Sequence, residues 1–226
     1  MYILNLIYSK IILLYYFIFK HKKKKEIFIF THLDSIFIKK NNKDFIHEKK
    51  IIKFYDYNLP DENTLNPISF NSLKIENAGG KSNISEMYSM EFFIRNYNAS
   101  EFIFEKEVKY WIDFKMVDYI CTINNERIGI SVTRAMGYPD ESDFNEQEAE
   151  RLLEKKINGL IVASNSVIKL HSFYKCILHI WCQNNTIASY LSNYYDKMKY
   201  TECSKELSIL LTVCPDDRIY KNYIFL

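Results

Sequence analysis

The chain has 226 residues, with 30 Lys and Arg against 28 Asp and Glu, for a net charge of +2. That near balance excludes the strongly basic class of nucleic-acid binders on composition alone, and 48% hydrophobic with 26% charged residues is the make-up of a globular protein. The 5 cysteines are odd in number and include no Cys-x-x-Cys pair, so they read as reduced thiols in a cytosol-like compartment.

Met1 to Phe19 is mostly apolar, broken by Asn5, Ser9 and Lys10, and is followed by the basic run Lys20 to Lys25. About 20 apolar residues are needed to span a bilayer, so this segment is marginal. Two readings stay open: an anchor whose lysines keep the rest of the chain on the cytosolic side, or a loosely packed leader. Short apolar clusters between lysine and asparagine runs fill Glu26 to Glu76 without a sustained period. Pro60, Asp61, Asn63, Asn66 and Pro67 mark a linker. Residues 1–76 are therefore expected to be a low-complexity basic leader, and 77–226 an α/β domain.

Gly79-Gly80 breaks the chain, and Ser82 or Ser85 is placed to cap a helix bearing Met87, Met90, Ile94 and Tyr97 on one face. Glu91 sits beside that stripe. Three strands follow, Glu101 to Val108, Met116 to Ile123 and Arg127 to Arg134, the last two joined at Asn124-Asn125, residues that tolerate the positive φ of a tight hairpin. Asp143 with Glu146 resembles a capping box opening a helix, which Gly159 is expected to end before a short strand, Leu160 to Ala163. Cys176 to Cys182 reads as a strand, Thr186 as the cap of a helix carrying Ile187, Leu191 and Met198, and Leu207 to Val213 as a last strand in a parallel βαβ extension. The spacing of Cys176, His179 and Cys182 suggests zinc, but on a strand His179 points away from both cysteines.

This order of helix, three-strand meander, helix and strand over Ser82 to Ala163 resembles the core of the PD-(D/E)XK, or restriction-endonuclease-like, nuclease superfamily. The segment Ser131 to Pro139 also resembles an uncharacterised protein group of protists and large DNA viruses, which implies no activity. The nuclease resemblance implies Mg²⁺ held by an acid on the second strand, an acid-x-lysine pattern on the third, and in many members a glutamate from the first helix. Asp118 matches the second-strand acid and Glu91 the helix glutamate, which alternatively forms an i, i+4 pair with Arg95.

The third strand departs from the pattern. A two-residue turn at Asn124-Asn125 sets Asp118 opposite Ser131, and a loop two residues longer sets it opposite Thr133. In both cases hydroxyls occupy the acid and lysine positions, and Arg134 points to the opposite face. Three readings stay open. A lysine or acid has migrated, from Lys155, Glu150, Glu105 or Glu107. Arg134 swings into the site. Or the fold persists without catalysis, with Ser131 and Thr133 satisfying Asp118.

The expected function is that of a divergent nuclease-fold protein acting on DNA or RNA with Mg²⁺. Glu91 and Asp118 would hold the metal, Ser131 and Thr133 would line the site, and Arg134 or Lys155 would neutralise phosphate. A catalytically inactive binding or assembly module on the same scaffold is the alternative. A cytosolic domain tethered to a membrane through residues 1–19 is a further one. The expected location is cytoplasmic or nuclear, or membrane-anchored facing the cytosol. No glycine-rich phosphate loop, His-x-x-x-His pair or nucleophile elbow supports kinase, zinc-protease or esterase chemistry.

Overall fold

A computed structural model describes residues 50–54, 57–75, 82–112, 115–138, 143–173, 175–198 and 206–220, all within the compact unit Ile46–Leu226. The segment Met1 to Phe19, the lysine run behind it and Gly79-Gly80 lie outside the described residues. Among the described residues no helix is long and apolar enough to cross a membrane.

Those residues form an α/β domain around one mixed, open sheet. Its strands are β1 (Lys50–Phe54), β2 (Ser100–Phe104), β3 (Tyr119–Ile123), β4 (Glu126–Ala135), β5 (Lys175–Cys182) and β6 (Glu206–Val213), in the order β1-β6-β5-β4-β3-β2. The helices are α1 (Pro67–Ser72), α2 (Asn83–Tyr97), α3 (Glu146–Ser166), α4 (Asn185–Lys197) and the single turn α5 (Asp217–Tyr220). Strands β2, β3 and β4 run antiparallel, whereas β4, β5, β6 and β1 are parallel.

The hairpin between β3 and β4 turns on Asn124 and Asn125, at φ 49° and 62°, the left-handed conformation asparagine tolerates best after glycine. Ile123 pairs with Glu126 and Tyr119 with Ile130, the two-residue register, one of the two that the sequence leaves open. In β4, Gly129 is required by close packing. A Cβ there would meet the buried ring of Phe173 at 2.8 Å.

One face of the sheet packs against α3 and α4 through Ile120, Leu178, Ile180, Ile209 and Leu211 meeting Leu153, Ile157, Leu160, Ile187 and Leu191. The other face is covered by α2. Here the fully buried His179 lies between hydroxyls, its Nδ1 2.8 Å from Ser89 Oγ and its Nε2 3.0 Å from Thr212 Oγ1. Ser89 Oγ is also 2.7 Å from Tyr119 Oη. Trp181, Phe92 and Phe93 surround the imidazole, with the Trp181 ring centre 4.4 Å away. Burial lowers the His179 pKa from 6.5 to about 3, so the ring is neutral. Cys176 and Cys182 pack on the opposite face, among the α3 and α4 side chains, as strand alternation requires.

Several features depart from the sequence reading, most of all along α3. Gly159 does not end a helix, and Leu160 to Ala163 is no strand. α3 runs 21 residues from Glu146 to Ser166, and Leu153, Ile157, Leu160 and Ala163 form one continuous buried stripe. An interior glycine costs a helix only about 1 kcal/mol relative to alanine, which a stripe of this length outweighs. The strand after α3 is consequently β5. Asn145, rather than Asp143, caps the helix, accepting the Gln147 and Glu148 N–H groups at 2.9 and 3.1 Å.

The sheet and its covering layers also reach back before residue 77. β1 pairs with β6 from Lys50 opposite Ser208 to Phe54 opposite Thr212. Residues 57–75 lie over α2. The Tyr57 ring meets Phe92 at 5.2 Å and Trp181 at 5.9 Å. This cover explains why α2 is buried at every position from Ile84 to Phe93 instead of along a single stripe.

Candidate functional site

Asp118 sits one residue ahead of β3, with its backbone N–H donating to Ile130 O at 2.9 Å. Its carboxylate Oδ2 accepts the Val132 N–H at 2.6 Å, and the buried Ser131 hydroxyl also hydrogen-bonds to it. Lys156 on α3 reaches over the same strand, donating from Nζ to Val132 O at 3.4 Å. Burial raises the Asp118 pKa, and the Lys156 charge and these hydrogen bonds oppose the rise. Nearby, burial pushes the Tyr110 phenol up to about 12, against a hydrogen bond from the Val117 N–H and with help from the Asp118 and Glu105 charges.

A small cleft of about 20 Å³ is lined by Asp118, Glu105 and Phe104 on the sheet side. On the helix side it is lined by Asn83, Glu86 and Met90, with Ser72 and Ile75 closing it. Glu86 accepts the Ser82 hydroxyl at 2.5 Å. The Asn83 Oδ1 is buried with no hydrogen-bond partner. Arg134, on the α2 face as strand alternation predicts, donates to the Ile219 and Tyr220 carbonyls at 3.1 and 3.4 Å. Burial lowers its pKa, and the Glu86 carboxylate opposes that.

The residues expected from the sequence divide into two groups. Asp118, Ser131 and the register opposite them come together, with Thr133 following half-buried on the same face. Glu91 does not join them. Its Oε2 accepts the Asn66 N–H at 2.9 Å and the Ser69 hydroxyl, and its Oε1 pairs with Arg95, which also binds the Thr64 carbonyl. Glu91 therefore ties α2 to the segment before it. At about 100° per residue, positions 86 and 91 point roughly 140° apart on a helix, so only one of them can face the cleft.

Lys155 is exposed, and its neighbour Lys156 is the lysine that turns toward Asp118. Glu107 caps the Phe104 N–H at 3.0 Å, and Glu150 accepts the Tyr194 hydroxyl at 3.1 Å. Of the migrated acids considered, Glu105 alone lines the cleft. Asn83 and Glu86 escape a sequence reading. Their signal, polar residues at i and i+3 with Met90 at i+7, is also that of an ordinary first helical turn.

Beside the Met90 thioether, the polar residues lining the cleft, Glu86, Glu105, Asp118, Asn83 and Ser72, carry oxygen donors. Such a set suits a hard divalent cation rather than a thiophilic one. Among the described residues, no three His, Cys, Asp or Glu side chains already converge as a closed metal-binding group.

Over 132 residues the chain is 31% identical to the AAC-rich mRNA clone AAC4 protein of Dictyostelium discoideum, covering 56% of this chain. The matched region spans 19% of that protein's length. No family model matches, and no solved structure does.

Proposed function

We propose that the chain is a divergent restriction-endonuclease-like protein whose cleft binds Mg²⁺ and a nucleic-acid phosphodiester. The observation that carries this reading is the cleft itself, lined by Glu86, Glu105, Asp118 and Asn83, whose Oδ1 has no hydrogen-bond partner, with the Lys156 charge acting on Asp118. Glu86 replaces Glu91 as the helix acid, and Lys156 replaces Lys155 as the cation. The ion would be held by Glu86, Asp118 and Asn83, and when bound it supplies charge stabilisation for the phosphate and a more acidic water. Lys156, whose charge acts on Asp118, would offset the developing phosphate charge, and Ser131 with the Val132 N–H orients the Asp118 carboxylate. Labelled DNA and RNA incubated with Mg²⁺ or Mn²⁺ test the reading. Cleavage that disappears in Asp118→Asn and Glu86→Gln but persists in Lys155→Gln is expected, and the absence of any cleavage with either ion ends it.

A binding or assembly module without catalysis is the second reading. It is supported by the Asp118 carboxylate already being served by Ser131 and the Val132 N–H. It requires nucleic-acid or protein binding that is indifferent to EDTA and to Asp118→Asn.

A further inference from the structure

The connection between β2 and β3 carries large apolar side chains out into solvent. Trp111 is 77% exposed and Ile112 67%. Their backbone is held firmly. The Trp111 N–H donates to Ser166 O at 2.7 Å, Tyr110 bridges Val167, and the Ile168 N–H donates to Lys109 O at 3.1 Å. These bonds bring alongside the 3-10 turn Lys169–His171, where Leu170 is 69% exposed and its carbonyl is fixed by Arg127 Nη1 at 2.7 Å. Val162 lies exposed one turn back on α3, its carbonyl taking the Ser166 hydroxyl at 2.8 Å. Three separate segments thus present apolar groups on one region of surface.

Exposed lysines collar the patch. Lys109 and Lys169 flank its two loops, Lys106 precedes it, and Lys115 follows, with its stem lying against Gly159. Glu107 is the exposed acid among them, and its carboxylate caps the Phe104 N–H. Single exposed apolar residues are ordinary, but a cluster of them inside a mainly basic rim marks an interaction surface.

We propose that this patch seats the protein on an anionic lipid surface, with Trp111, Ile112 and Leu170 entering the headgroup boundary and the lysines meeting the lipid phosphates. An apolar centre with a basic rim is the composition that binds such surfaces. Nucleic acid would use the flat face of Trp111 but has no need of Ile112, Leu170 and Val162, so the aliphatic majority favours lipid. The site is distinct from the Met1 to Phe19 segment. It also lies along α3 from Lys156 by the run to Ser166, about 15 Å at 1.5 Å per residue.

The chain has 2 tryptophans, and Trp181 is fully buried, so a ligand-induced change in emission reports on Trp111. The full chain is titrated with phosphatidylcholine vesicles with and without about 30% phosphatidylserine, with emission and acrylamide quenching followed. A blue shift and quenching protection on the anionic vesicles are expected, weakening as salt rises. The double variant Ile112→Ser/Leu170→Ser, which keeps the reporter and alters only exposed positions, is expected to need about tenfold more lipid. An unmoved Trp111 spectrum, even if the protein sediments with vesicles, overturns the proposal. An unchanged midpoint in the double variant does so too. A spectrum that responds to poly(U) and not to vesicles gives the surface to nucleic acid and also overturns it.

Discussion

Acid should unfold this domain through His179. The imidazole is fully buried and neutral between Ser89 and Thr212, and its pKa falls from 6.5 to about 3 because burial penalises the charged ring. A neutral ring offers one N–H and one lone pair, so one hydroxyl donates to it and the other accepts. Protonation turns both nitrogens into donors and breaks that match. The group's folded pKa lies below its unfolded one, so its contribution is fully present above pH 6.5. It is lost as pH falls from there toward 3. At about 1.4 kcal/mol per pH unit, roughly 2 kcal/mol goes by pH 5 and about 5 kcal/mol by pH 3. That is a large part of the 5–15 kcal/mol that typically holds a domain together. Urea unfolding at half-unit steps from pH 7.5 to 4.5 should show stability falling below 6.5 with a slope approaching one proton per molecule. His179→Gln, which keeps a donor and an acceptor but cannot charge, should be less stable at pH 7.5 and flatter across the range. Equal slopes for the two proteins would refute the reasoning, because the acid sensitivity would then belong to other groups.

Four further outcomes follow from the packing. Asp118→Asn should be no less stable than the native protein at pH 7.5 by thermal melting. The folded-state pKa of Asp118 is raised, so its charged form weakens the fold as pH rises through that value, and an amide oxygen can still accept the Val132 N–H. Glu91→Ala should cost about 2–3 kcal/mol in urea unfolding, since it strands the Asn66 N–H and the Ser69 hydroxyl and frees Arg95. A Glu91 variant with intact stability would contradict the clasp described for it. Gly129→Ala should destabilise by about 1–3 kcal/mol because the new methyl must displace the Phe173 ring, and Phe173→Leu in the same chain should recover part of the loss. Gly159→Ala should raise the melting temperature, with a gain of about 0.5–1 kcal/mol, since the position is helical and the methyl meets only the Lys115 stem at 3.8 Å.

Much of the sheet was legible because its signals are local. Paired asparagines mark a hairpin, and the hairpin narrows the residue opposite Asp118 to Ser131 or Thr133 without any knowledge of the rest of the chain, a choice the observed register settles for Ser131. β5 and β6 stood out as mostly apolar runs, broken by His179 in one and by Ser208 and Thr212 in the other, the mark of strands covered on both faces. What stayed hidden depends on distant partners. Glu91 and Glu86 both belong to a helix that is buried all round, and the segment 57–75, which decides which of the two faces a cleft, looked like a linker because its backbone bonds go to turns and caps. Lys155 and Lys156 differ by one residue, a rotation of about 100° that no count of charges resolves. Gly159 misled because glycine is a frequent stop signal only where the chain must adopt a positive φ, which here it does not.

The position of β1 has a practical consequence for anyone trimming this protein. The first described strand zips onto the last one, so the margin of the sheet on that side is supplied by residues far upstream of the helix that seemed to begin the domain. A version started at residue 77 would leave the whole length of β6 with a bare row of amide and carbonyl groups. Such a margin recruits any extended chain that drifts past, so the shortened protein would be prone to clump for a reason unrelated to its cleft.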